Sequence, residues 1–459
     1  MRTTRHPDAR LRALLSEAGW TGQQLAREVN SIGAESGLTL RYDRTSVAHW
    51  LSGIRPCPPV PELIDEAFSR RLGRRVVIGS PGEVNPGQDG GVRNRCPAGR
   101  DGDGDGEVDA VARLVELDAE RRCLLRGGVY SVAALAVPRW TGTAGTAYPD
   151  RTADSGRIDR HAAEAAEGMS RVFSEADAAF GGGRCVTALA AYLALDVAPK
   201  LRMRAAPAVR QRMFRAATQL TYLCAFMFFD QERHAAAQRY YTVALQLAAE
   251  NHDQAGYATV LRAMSVQAHC LGHYRQALDL ADGAVSTGPG LIPPGTRAFL
   301  YGQGAVAAAS AGDKRAALAL LHKAEAFLDR GAAADAAIGN YHQASLAHQH
   351  AAVLSALGDV SGASKALSLS VQRRPAVERR SRAITLATLA QLQLRQGHLE
   401  LAAATWRQFL DDYPQLECGR AATALTTLRR TLRPYQHNAV AAAVLAYAAR
   451  VSAARDNTR

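Results

Sequence analysis

Lysine is almost missing from this chain. Four occur, at 200, 314, 323 and 365, and the other 51 of 55 basic residues are arginine. That bias reads as the mark of a GC-rich genome more than as a binding demand. Aromatics are scarce at 6%, so alanine and leucine must build most of the core, which favours helix. No run of about 18 apolar residues exists, which excludes a membrane span. The opening MRTTRHPDARLR lacks the apolar stretch of a secretory signal. The seven cysteines form no CxxC pair, which argues against a disulfide framework or zinc module. A reduced, cytoplasmic setting is the expectation. No nucleophile elbow, paired catalytic carboxylates or nucleotide fingerprint appears, so neither an enzyme nor a cofactor is expected.

At 459 residues the chain has room for two to three domains. Its charge of +12 is uneven: residues 1–78 carry +4, 79–110 carry −4, and 111–459 carry +12. Residues 79–110 are rich in Gly, Pro and Asp and nearly free of large apolar residues, so they read as a flexible, disordered linker. On one side lies a small basic module, 1–78. On the other lies an Ala-rich helical lead-in, 111–217, and then a repeat region, 218–455. No stretch alternates in the manner of a strand, so the expected fold class is all-α.

Residues 7–18 predict a first helix ended by Gly19, and Thr21 caps a second with Leu25, Val29 and Ile32 in register. Asp43 caps a short third helix, RTSVAHWLSG, with Val47, Trp50 and Leu51 as its apolar stripe. A fourth begins near Pro61, buries Leu63, Ile64, Ala67, Phe68 and Leu72, and ends at Gly73. The other face of the third helix offers small or polar residues that fit a major groove: Thr45, Ser46, Ala48, His49 and Ser52. Arg41, Arg44 and Arg55 flank it as phosphate contacts. The plain alternative is a four-helix packing domain with an idle surface. LAREVN, TSVAHWLSGIRP and PELIDEAFSRRLGR resemble the helix-turn-helix domains of the Cro/repressor-like (XRE) class, which implies duplex DNA as partner. The connection between helices two and three is longer than that class usually has.

Five segments align without gaps, starting at Glu232, Gly272, Gly312, Gly358 and Gly397. The sixth residue of each is alanine: Ala237, Ala277, Ala317, Ala363 and Ala402. A turn glycine followed by a small residue suits a close helical hairpin. Pro375 and Pro414 end two of the second helices. The pattern resembles the tetratricopeptide repeat, with longer connections, and implies an α-solenoid stacking into a right-handed superhelix. That resemblance places Tyr222, Phe226, Phe229, Arg262, Val266, His269, Phe299, His348, Gln391 and Arg395 on a concave groove. The mixture suits an extended peptide or protein ligand; each aromatic taken singly also fits a core position. FGGGRCVTALAAYLALDVAPKLR (180–202) and AQRYYTVALQLAAE (237–250) add a resemblance to actinobacterial helix-turn-helix plus tetratricopeptide regulators. That family includes a negative regulator of streptomycete differentiation and antibiotic production. It implies transcriptional control, with the repeats binding a peptide, protein or small signal. The long linker weakens direct mechanical coupling and favours homodimerisation, which joins two weak DNA contacts. A repeat scaffold without DNA affinity is the rival reading.

Other signals carry less. DGDGDGEVDA lacks the closing Glu of a calcium loop. Residues 121–138 resemble a twin-arginine export signal but lie deep in the chain, and read as a helix or tucked segment capping the start of the solenoid. A docking role on a membrane or partner stays open for them. FGGG at 180–183 reads as a helix break rather than a phosphate loop. His342, His348 and His350 lack the companions of a metal site, so no metal is expected. RRPAVERRSR (373–382) reads as a solvated connection, with a nucleic-acid or acidic-partner patch as the minority reading.

Overall fold

The computed structural model describes residues 8–78 except 37 and 55, residues 129–135 and 140, and residues 157–456 except 288–291 and 331–340. The linker at 79–110, its calcium-like stretch, and Arg55 lie outside the described residues. Among the described residues no β-strand forms; a single isolated bridge joins Arg157 and Arg204. No described helix is long and apolar enough to cross a membrane.

The N-terminal domain is four helices: α1 (Ala9–Ala18), α2 (Gly22–Glu35), α3 (Arg44–Leu51) and α4 (Val60–Leu72). Local chemistry sets their ends. Asp8 caps α1, which stops at left-handed Gly19. Thr21 and Gln24 form a capping box on α2, and Asp43 and Ser46 form one on α3. Leu25, Val29, Ile32, Val47, Leu63 and Phe68 are fully buried at the centre, with Trp50 beside them. The connection from α2 to α3 is pinned by Asn30, whose side-chain amide donates to the Tyr42 carbonyl at 2.9 Å and accepts from the Tyr42 N–H at 2.9 Å.

The remainder is helical hairpins. α5 (Arg160–Phe180) leads, followed by α6 (Val186–Tyr192) and, after a π-helical stretch, the short α7 (Ala198–Leu201). Five hairpins follow the aligned register. They are α8 (Pro207–Asp230) with α9 (His234–Glu250), α10 (Gln254–Cys270) with α11 (Tyr274–Ser286), and α12 (Pro294–Ser310) with α13 (Lys314–Asp329). Then come α14 (Gln343–Ala356) with α15 (Val360–Arg373), and α16 (Arg379–Arg395) with α17 (Leu399–Asp412). All five register alanines are wholly buried, and the residues four and seven places on are buried too. The turn glycines 272, 312, 358 and 397 take φ between 82° and 91°, and Glu232 takes φ 60° in the first hairpin. A sixth hairpin, α18 (Gly419–Leu432) and α19 (Ala439–Asp456), follows outside the register of the five segments, and its RPYQHN turn has no glycine.

The two ends of the array meet. The Glu417 N–H donates to the Phe180 carbonyl at 2.7 Å, and the Glu417 carbonyl accepts from Gly183 N–H at 2.8 Å and from the Gln231 side chain at 2.7 Å. FGGG does end α5, as expected, but its glycines do more: a Cβ on Gly182 would lie 2.7 Å from Met227 Cα. The segment is bare so that α5, α8 and the residues before α18 can touch.

Candidate functional site

Three places stand out, and the first and third gather the predicted residues. The first is the outer face of α3. Arg41, Arg44, Thr45, Ala48, His49 and Ser52 are all exposed, over buried Val47 and Trp50. Two hydroxyls there are already engaged. Ser46 Oγ donates to Asp43 Oδ1 at 2.9 Å within the capping box, and Ser52 Oγ donates to the His49 carbonyl at 2.7 Å. Among the described residues, Thr45, His49, Arg41 and Arg44 remain the free donors of that face.

The second place joins the domains. Arg70 on α4 forms a two-pronged pair with Glu35, at 2.8 and 2.7 Å, and bonds Glu66 at 2.8 Å. Its guanidinium also donates to the Tyr130 carbonyl at 3.2 Å. Glu66 accepts from the Val132 N–H at 2.7 Å. From the repeat side, Gln238 on α9 accepts from Ser131 N–H at 2.8 Å and donates to its carbonyl at 2.7 Å. The wholly buried Tyr130 ring stacks on His273, whose Nε2 lies 3.5 Å from Glu35. Burial would raise the Glu35 carboxyl, but His273 and Arg70 hold it below its ordinary value. Residues 129–135, the described part of the segment 121–138, are thus tucked against the first repeats, while its twin arginines 121 and 122 lie outside the described residues. Residues 129–135 are also gripped by the N-terminal domain, which no motif announced.

The third place is the inner face of the repeats. Tyr222 is buried beside Tyr241, ring centroids 6.0 Å apart. The Arg262 guanidinium lies 3.7 Å from the Phe299 ring centroid, and Phe299 packs on Tyr341 at 5.2 Å. Phe226 sits under Arg380 at 4.8 Å and near Arg420 at 5.9 Å; Phe229 sits under Arg420 at 4.9 Å. His269 bonds Ser310 at 2.8 Å, and His348 bonds Thr385 at 3.2 Å. Burial, with Arg374 and Arg420 nearby, pushes His348 down to about 4, and burial alone lowers His269. Val266 is half-buried against the core, and Gln391 bonds back to the Ala387 carbonyl at 3.2 Å. Arg395 stands exposed at the end of α16, outside the contacts that join the others.

At the seam where the array's ends meet, two aspartates are buried. Arg380 reaches Asp177 at 3.0 Å and Asp230 at 3.6 Å, and Arg420 pairs with Asp230. The two guanidiniums overcome burial and hold Asp230 ionised, whereas burial beside Asp230 raises Asp177. This corrects the reading of RRPAVERRSR as a solvated connection. Arg374 pairs with Glu378, Arg379 donates to the Ala179 carbonyl, and Arg382 bonds Asp412. Only Arg373 of the five arginines is exposed. The carboxylates that neutralise them lie up to about two hundred residues away, so the run alone suggested solvent. His342 is spent on Glu378 at 2.8 Å. Among the described residues no three His, Cys, Asp or Glu are placed to hold a metal.

Residues 11–82 match the model of the family described as SP15 N-terminal domain, which coincides with the four-helix module. No curated protein matches the chain. A solved structure described as "Crystal structure of APC/C hetero-tetramer Cut9-Hcn1" is similar at 16% identity with a TM-score of 0.32. That likeness covers 57% of this chain and 46% of the other, so under half of that chain's length is spanned. Stacked hairpins of this kind present extended surfaces suited to contacts with other proteins.

Proposed function

We propose that the chain is a non-catalytic, DNA-binding transcription regulator, whose repeats receive a signal and whose four-helix domain reads an operator. The observation that carries this is the outer face of α3. It leaves Arg41, Arg44, Thr45 and His49 exposed over a buried Trp50, while the same domain is held against the repeats through Glu35, Glu66 and Arg70. A docked domain that still presents this face can meet DNA without first coming loose. The resemblance to actinobacterial regulators of development and antibiotic production supports the same reading. In this proposal the strap at 129–135 transmits the state of the repeats, since it bonds both parts. Two copies of the chain place two α3 helices on two half-sites.

Full-length protein titrated with genomic duplex fragments at rising salt tests the proposal. Affinity should fall steeply with salt. Arg44→Ala should weaken all sequences alike, and His49→Ala should change the preference among them. No salt-dependent binding by the full chain would leave a protein-interaction scaffold as the function.

A further inference from the structure

Arg262 differs from the other inner-face arginines in having no counter-charge. Arg380 and Arg420 are neutralised by Asp177 and Asp230, and Arg374 by Glu378. Among the described residues no carboxylate lies within ion-pairing distance of Arg262, and its buried Nε has no hydrogen-bond partner. What surrounds Arg262 is aromatic: Phe299 lies under the guanidinium, the Tyr222 hydroxyl accepts a hydrogen bond from it, and Tyr341 lies nearby.

An unpaired buried cation is costly unless something supplies the missing charge. A guanidinium carried between aromatic walls matches a carboxylate attached to a planar or apolar body. One unneutralised charge calls for a monoanion rather than a phosphate dianion. The meeting of the array's two ends bounds this face, which favours a compact occupant over an extended chain. We propose that the inner face binds a small aromatic or apolar monocarboxylate, with Arg262 as its counter-ion and Phe299 and Tyr222 as its walls. This deepens the reading of the repeats as a signal receiver and rests on it.

The test uses the full chain without DNA, so that a failure to bind DNA does not bear on the result. Phenylacetate, indole-3-acetate and benzoate are compared with their neutral amides by thermal shift and calorimetry. At least one carboxylate should bind tenfold or more tightly than its amide, and that preference should vanish in Arg262→Gln but persist in Arg395→Gln. The unliganded Arg262→Met variant checks folding and should melt no lower than the parent, since it removes an unpaired charge. Equal binding of acid and amide across the panel overturns the proposal, whatever the melting temperatures. So does a preference that survives Arg262→Gln. Hexapeptides with free and amidated C-termini form the last arm. A free-carboxyl peptide binding more tightly than every small acid overturns the compact occupant and restores the extended-peptide groove. Carboxylate binding without DNA binding would discard the regulator and leave this site standing.

Discussion

The aligned hairpins and the seam that joins the array's two ends are held together by different physics. Within a hairpin the contact is apolar, local and periodic: a buried alanine lets two helices approach, and buried residues four and seven places on fill the gap. At the seam the contact is ionic, distant and irregular: Asp177 and Asp230 meet Arg380 and Arg420 from elements about two hundred residues apart. Apolar repeats tolerate change in proportion to volume. A buried ion cluster tolerates removal of one member badly, because the remaining charges lose their partners while staying out of water.

The largest effect should come from breaking that cluster. Arg380→Met is expected to cost about 3–5 kcal/mol, by leaving Asp177 uncompensated and Asp230 with one partner. Adding Asp177→Asn should return part of that loss. Ala363→Phe inside a hairpin should cost less, about 1–3 kcal/mol by overpacking, and Leu401→Phe at an exposed site almost nothing. Urea unfolding of the four variants ranks them. If Ala363→Phe proves worse than Arg380→Met, the seam is a surface decoration and the hairpins alone hold the array.

Much of this contrast was legible in advance, and the illegible half has a physical reason. Nearest-neighbour packing writes itself into the sequence as a period, so Ala237, Ala277, Ala317, Ala363 and Ala402 announced the hairpins and their buried register. Capping residues did the same for α2 and α3. The seam has no period. Arg380 sat in an arginine-rich run and looked solvated, and its partners Asp177 and Asp230 are unremarkable in their own helices. The grip on residues 129–135 was likewise hidden, since Gln238 and His273 sit in aligned segments at places the repeat register does not fix. Of the groove candidates, Tyr222, Arg262 and Phe299 do come together, because first helices share one face. Arg395 does not join them, since the alignment fixed its register but not how far the array curls.

Acid should sharpen the difference between the two kinds of contact. His348 is held neutral, pushed down to about 4 from 6.5, because burial and nearby arginines oppose a second charge. Its folded value lies below its unfolded value, so protons favour the unfolded chain between the two. Stability is intact above about pH 6.5 and falls as pH drops toward 4, by up to about 3 kcal/mol from this residue. Asp230, depressed by its two arginines, holds its contribution until the pH falls below the ordinary carboxylate range. Denaturant midpoints measured from pH 7 to 4 on the parent and on His348→Phe should therefore diverge, with the variant flatter. Parallel curves would mean that His348 accepts a proton without penalty and that the inner face is wetter than its packing implies.

The smallest effect lies where the two kinds of contact share one residue. Glu232 occupies the turn position that glycine holds in the next four hairpins, and it takes φ 60°. A side chain there costs about 1 kcal/mol in the left-handed region. Glu232 also reaches across the seam to accept from Thr423 at 2.7 Å, an exposed bond contributing about 0.5 kcal/mol. Glu232→Gly should release the backbone cost, lose that bond and lower the constraint on the unfolded chain, so the net change should be a gain below about 1 kcal/mol. Thr423→Ala isolates the lost bond, and the difference between the two variants in thermal melting gives the turn's share. A stabilised Glu232→Gly makes the first hairpin a repeat like the others that drifted from glycine. A clearly destabilised one means that the seam holds Glu232 in a conformation its own turn does not favour, and that closing the array outweighs the regularity of its first hairpin.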